Sequence, residues 1–234
     1  MSDEGAPSAE AAATRAASAR DAASGGDASV EILGSNSRRV SARVVVPASA
    51  DVVWGVLTDY ERLADFIPSL ATNQMLQRRS NGARLLQVGE QDVAMGIKFR
   101  AKVVVDVEEG EEERLPRDLP RSFSSTDCSS SSSSSGEESD AVIGRVGGSI
   151  RRRCIHFKMV EGDFQKFVGV WTLDEQLPGS PSGPTTLSYS VELTPHFWLP
   201  VALVEGRISK EIKANLAGVR QEAYRRIQVA LSQV

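Results

Sequence analysis

The 234-residue sequence predicts an α+β fold in which a curved antiparallel sheet of about six to seven strands surrounds one long C-terminal helix, with two short helices after strand 1. Three observations predict it. Apolar and polar residues alternate with a period of two from Ile97 to Val107 and in several other segments, most of them joined by turn signals. Between the first strand and the rest, the apolar spacing switches to that of a helix. Near the C-terminus Val204, Ile208, Ile212, Leu216, Val219, Ala223 and Ile227 recur at steps of three and four.

Order begins near Arg39. Val40, Ala42, Val44 and Val46 share one face of the first strand, and Pro47 ends it. Ser49 caps a short helix carrying Val52, Val53, Trp54, Val56 and Leu57. Thr58 and Glu61 have the spacing of a capping box for a second one, with Leu63, Phe66 and Ile67 apolar and Pro68 past its end. Met75 and Leu76 precede Asn81-Gly82, a dipeptide that favours a tight hairpin, and Leu85, Leu86 and Val88 follow it.

In the next strand Ile97, Phe99, Ala101, Val103, Val105 and Val107 occupy one face, against Lys98, Arg100, Lys102 and Asp106 on the other. Ile155, Phe157 and Met159 alternate with Cys154, His156 and Lys158, which places His156 on the polar face. Gly162-Asp163 reads as a turn. Phe167, Gly169, Trp171 and Leu173 line one face of the following strand, and Leu187, Tyr189, Val191 and Leu193 line one face of the last. From Val201 the chain is helical, and ~30 residues at ~1.5 Å each give a rod of roughly 45 Å. Hairpin connections imply an antiparallel sheet, and a bent sheet touches a straight helix over only part of its length. A cavity lined by sheet and helix side chains is therefore expected between them.

Two stretches read as uncommitted to the core: residues 1–37, rich in Ala, Ser and acid, and residues 108–149, with a glutamate cluster followed by serines from Ser129 to Ser135. Both are expected to be disordered, the second as an insert within a domain spanning 38–234. Together they hold 16 of the 31 acids but only 6 of the 27 bases, so a chain of formal net charge −4 conceals a core near +6. That charge suits transient contact with an anionic membrane surface, through Arg207, Lys210, Lys213, Arg220, Arg225 and Arg226 on the helix and Arg151, Arg152 and Arg153 on a strand.

No apolar run approaches the ~20 residues of a membrane span, and no apolar leader stands near the start, so the chain reads as soluble. Two cysteines, Cys128 and Cys154, fit a reducing compartment better than a disulfide framework. His156 and His196 lack partners at metal-ligand spacing, so no metal site and no cofactor is expected. No DNA partner and a monomeric state are the remaining expectations.

The segments from Val52-Val53-Trp54 through Leu57-Thr58-Asp59-Tyr60-Glu61-Arg62-Leu63 to Phe66-Ile67-Pro68, then Met159-Val160-Glu161-Gly162-Asp163-Phe164 and Phe167-Val168-Gly169-Val170-Trp171, resemble the polyketide cyclase/dehydrase and lipid transport family. That family lies in the START-like helix-grip superfamily, which includes coenzyme Q-binding START domains. The closing run from Trp198-Leu199-Pro200-Val201 to Asn215-Leu216 is similar to its plastid and cyanobacterial branch.

The resemblance implies a cavity for an apolar small molecule, such as a lipid or prenylquinone, and a plastid location, with the cytosol as the alternative because the tail is rich in acids. It supplies no catalytic residue. The expected cavity lining is Trp54, Phe66, Phe99, Ala101, Val103, Phe157, Met159, Phe167, Trp171, Tyr189, Val204, Ile208 and Ile212. Gln87 and Gln165 are inward polar candidates by parity, Glu205 and Glu211 flank the helical stripe, and Glu161 and Asp163 stand at a turn. Binding or carriage of an apolar ligand is the leading expectation. A small-molecule cyclase or hydratase, or a docking module on a membrane, protein or ribosome, are the alternatives.

Overall fold

A computed structural model describes residues 28–94, 97–116, 149–177, 183–196 and 205–233. Strands β1 (Ser29–Gly34) and β2 (Ser37–Val46) form a hairpin, followed by helices α1 (Ala50–Leu57) and α2 (Leu63–Phe66). Strands β3 (Leu70–Arg79), β4 (Gly82–Ala94), β5 (Ile97–Pro116), β6 (Ser149–Gly162), β7 (Phe164–Leu177) and β8 (Thr185–Pro195) come next. Helix α3 (Glu205–Leu231) closes the described chain. All neighbours in the sheet are antiparallel, and the spatial order is β1-β2-β8-β7-β6-β5-β4-β3. Six strands thus follow one another as a meander. β2 closes onto the last of them, pairing Ala42 with Tyr189 and Val44 with Leu187.

The fold class matches the sequence expectation, but the sheet has eight strands rather than six to seven. β1 lies within the stretch assigned to the tail, as does Ser37 of β2. Every residue of β1 is exposed, so the strand carries no buried face to impose a period of two. The boundary of the insert also moves. β5 continues through Glu108 to Pro116, and Pro116 pairs with Ser149 of β6. Residues 1–27 and 117–148 lie outside the described residues.

Local sequence signals account for most element ends. Ser49 caps α1, its Oγ accepting from the Val52 amide at 3.4 Å. The capping box expected at Thr58 and Glu61 does not form. Thr58 instead closes α1, its hydroxyl donating to the Trp54 carbonyl at 2.9 Å, and α2 starts at Leu63 with no side-chain cap. The β3–β4 hairpin is displaced by one residue from Asn81-Gly82. Arg79 pairs with Gly82, so Ser80 and Asn81 make the turn. Gly82 is needed one place later, because its φ is +149° and a Cβ there would meet the Val107 carbonyl oxygen at 1.9 Å.

The core sits between the inner face of the sheet, α1 and the C-terminal half of α3. Leu216, Val219 and Ala223 of α3 are fully buried and share one cluster with Val40, Val46, Val53 and Val56. An ion-pair clasp locks this end. Arg226 donates to the Gly55 carbonyl at 2.9 Å and to Asp59 at 2.7 Å, while Glu222 receives both Arg225 and Arg226. Those hydrogen bonds hold the Glu222 carboxyl down at about 2, well below its usual 4.5, although burial opposes them.

Candidate functional site

At the other end of the sheet–helix interface, beside the N-terminal half of α3, lies a cavity of about 210 Å³. A close-packed interior leaves few voids larger than one water, which needs only ~10–15 Å³. The sheet supplies the inner faces of β4 (Leu85, Gln87, Gly89), β5 (Ala101, Val103, Val105, Val107), β6 (Ile155, Phe157), β7 (Phe164, Phe167, Trp171) and β8 (Tyr189, Val191, Leu193, Pro195). Leu57, Tyr60, Leu63, Ile67, Ser69 and Leu70 close one side, and Ile208, Glu211, Ile212 and Asn215 of α3 form the roof. Aromatic rings make one wall. Phe157 stands 5.5 Å from Phe167 and 5.8 Å from Tyr189, while Trp171 and Tyr189 are 4.1 Å apart, centroid to centroid.

Of the residues expected from sequence, Ala101, Val103, Phe157, Phe167, Trp171, Tyr189, Ile208 and Ile212 border this cavity. Trp54, Phe66 and Met159 do not. Trp54 lies on the side of α1 that faces β6, where the Arg153 guanidinium sits 5.7 Å from its ring centroid. Phe66 packs partly buried on the core, its carbonyl pressed against α3 at Gly218. Met159 pairs with Val105 beside an irregularity in the β5–β6 register and also packs partly buried on the core. Phe99 lies on β5, but its side chain falls outside the described residues, as does Val204 altogether.

Gln165 is exposed rather than inward. The register of β7 against β8 shifts between Phe164 and Lys166, so Phe164 and Phe167 both face inward, their rings 5.4 Å apart. Such a bulge reverses the parity on which the assignment of Gln165 rested. Glu161 and Asp163 are exposed at the β6–β7 turn, where Asp163 accepts from the Lys102 amide at 2.7 Å.

The polar lining is sparse and mostly committed. Tyr60 donates its phenol to Glu109 at 2.9 Å. Burial, then this carboxylate, lift the phenol well above the usual tyrosine range, so it stays protonated. Gln87 donates to Asn73 at 3.1 Å, and Asn73 in turn donates to the Tyr60 carbonyl. Asn215 accepts from the Ser69 amide at 3.4 Å, tying α3 to the start of β3. Glu211 is the single charged residue among the described lining. Among the described residues no three His, Cys, Asp or Glu side chains gather as a metal site requires.

Sequence reading missed Tyr60, Ser69, Phe164 and Asn215. The legible signal was at Asn215, a polar residue standing on the apolar stripe of α3 between Ile212 and Leu216. Tyr60 carried none, since it lies in the turn between two short helices.

Residues 46–220 match the sequence profile of the family described as polyketide cyclase/dehydrase and lipid transport. The chain belongs to that family. Comparison with curated protein sequences returns no match. Solved structures share its START-like fold. A STAR-related lipid transfer protein from Xanthomonas axonopodis superposes with a TM-score of 0.54 at 13% identity, covering 84% of this chain and 98% of its own. The Zhui aromatase/cyclase from Streptomyces sp. R1128 gives 0.51 at 18% identity, over 83% and 98%. The protein TTHA0849 from Thermus thermophilus gives 0.51 at 19%, over 80% and 98%. At these identities the likeness to solved structures is one of fold. The family membership rests on the profile match, which spans the first helices, strands β3 to β8 and more than half of α3.

Proposed function

We propose that this member of the family binds and carries an apolar small molecule, a lipid or prenylquinone, in the cavity beneath the N-terminal half of α3. The observation that carries this reading is the lining itself: an internal space of about 210 Å³ walled mainly by Val, Leu, Ile, Phe and Trp side chains, with one charged residue. Apolar walls of that kind gain ~25 cal/mol for each Å² they remove from water on a ligand. Carriage is favoured over cyclisation because a cyclase needs a converging acid and base. Among the described lining residues no His, Lys, Arg or Cys accompanies Glu211.

The test is direct binding. Purified full-length protein titrated with a short-chain ubiquinone should lose tryptophan fluorescence at micromolar concentrations, because Trp171 lines the cavity, and Trp171→Phe should lose most of that signal. No quenching and no retained ubiquinone at those concentrations would refute the proposal.

Location in a plastid is proposed on the family resemblance alone, and imaging a C-terminal fluorescent fusion decides between plastid and cytosol. Docking on an anionic membrane is supported by fewer charges than the sequence suggested. Arg151, Arg152 and Arg153 pair with Glu175, Asp174 and Asp51, and Arg225 and Arg226 pair with Glu222. Lys210, Lys213 and Arg220 of α3 are outside these pairs. Co-sedimentation with anionic but not neutral vesicles, weakening from 0.1 M to 1 M salt as the screening length falls from ~10 to ~3 Å, is the expected result.

A further inference from the structure

The β8 wall and the α3 roof of the cavity each present a hydrogen-bond donor with no partner among the described residues. Tyr189 is 9% exposed, its ring held between Trp171 and Phe157, and its hydroxyl has no hydrogen-bond partner among the described residues. Asn215 is 7% exposed. Its Oδ1 accepts from the Ser69 amide, which leaves Nδ2 as the donor end of the side chain, again without a partner among the described residues. Both donor atoms open into the cavity rather than being sealed in the protein, so an apolar ligand that strips solvent from them leaves each unpaired, at about the cost of a hydrogen bond, unless it brings an acceptor.

A carboxyl group shares this region. Glu211 precedes Asn215 by four residues on α3 and lines the same cavity. Burial, and after it the Glu211 charge, push the Tyr189 phenol well above the usual tyrosine range. The phenol therefore keeps its proton and is available to donate it to an acceptor oxygen. The same negative charge repels an anionic head group in a medium where charges are weakly screened.

We infer that Tyr189 and Asn215 select a neutral apolar molecule bearing a carbonyl oxygen, such as a ketone, quinone or ester, and that Glu211 excludes free carboxylates of similar length. The inference rests on the reading that the cavity holds an apolar ligand, and it names the class within that reading. The carbonyl oxygen accepts from the phenol and the amide, and the hydrocarbon part lies along Val103, Phe157 and Ile208. No bond is made or broken.

Three probes of equal chain length separate the possibilities: undecyl methyl ketone, tridecane and tridecanoate. Full-length protein is equilibrated with each, passed through gel filtration, and the retained probe is quantified by gas chromatography. The ketone should bind about tenfold more tightly than the alkane, the scale of one hydrogen bond to a buried donor, and tridecanoate should bind most weakly. Tyr189→Phe, which keeps the ring and its stacking, should lower ketone binding to near the alkane level while leaving alkane binding and the melting temperature unchanged. Equal retention of all three probes, preferred retention of tridecanoate, or an unaltered ketone preference in Tyr189→Phe would overturn the inference and leave the apolar-ligand reading standing. Retention of none of them would overturn both.

Discussion

Glu222 shows how much one side chain contributes to this architecture. It is 7% exposed, yet it remains ionised because Arg225 and Arg226 donate to it at 2.6 to 2.9 Å. Arg226 then reaches across to Asp59 and the Gly55 carbonyl, so the carboxylate orients the group that joins α3 to α1. Its carboxyl is depressed in the folded state, so the stability it contributes is present above its ordinary value of 4.5 and is lost as pH falls toward about 2. Glu222→Gln is predicted to lose roughly 1.5–3 kcal/mol at neutral pH, the scale of hydrogen bonds to a charged group. Urea unfolding at several pH values checks this: the gap from wild type should narrow progressively below pH 4.5. A gap constant down to pH 2 would remove the linkage. From sequence, Arg225 and Arg226 read as part of a basic surface suited to an anionic membrane, and Glu222 gave no signal. Asp59, which extends the network through Arg226, is distant in sequence, and only the packing of α3 on α1 reveals the connection.

The spacing of elements depends on contacts that periodicity does not encode. α3 approaches α2 so closely at Gly218 that a Cβ there would lie 2.0 Å from the Phe66 carbonyl oxygen. Gly218→Ala must push the helix away, and a cost of ~1–3 kcal/mol is expected from overpacking of this kind. Denaturant midpoints measure it, and an unchanged or raised midpoint would show that the two helices separate freely. The same scale explains the errors in the expected site. Alternation placed the strands correctly wherever one face was buried, as from Ala101 to Val107. It failed for Gln165, where the β7 bulge shifts the register; Trp54 and Phe66 sit on short helices, whose orientation follows from packing on β7, β3 and α3 rather than from any strand period. A bulge changes direction without changing composition, so it leaves no mark in a hydrophobic pattern.

At the scale of the whole molecule, β5 and β6 stay paired to their distal ends, and Pro116 faces Ser149. The segment 117–148 therefore joins two ends already held side by side, and closing a loop costs only ~0.6 kcal/mol more for each doubling of its length. Replacing residues 117–148 with a short Gly-containing turn is predicted to leave the melting temperature within a few degrees; a large loss would mean that this segment contributes to the core. Replacing the longer stretch that composition suggested, from residue 108, would remove paired strand and should cost much more. The meander and the long helix could be anticipated from alternation and hairpin-type turns, because each strand buries one face against a single core; the pairing of β2 with β8 is seen only in the structure. The edge strand β1, exposed on both faces, could not.

The central claim, that the space under α3 is a ligand cavity, is tested most directly by blocking it. Ala101 lines the cavity from β5, and Ala101→Phe fills the space with an apolar ring without burying a charge. Native mass spectrometry of the purified full-length protein, with lipid extraction of a parallel sample, should show an apolar molecule retained by the wild type and absent from a folded Ala101→Phe variant. A wild type that carries no such molecule and takes up none when offered ubiquinone would contradict the claim, as would equal retention by the folded variant.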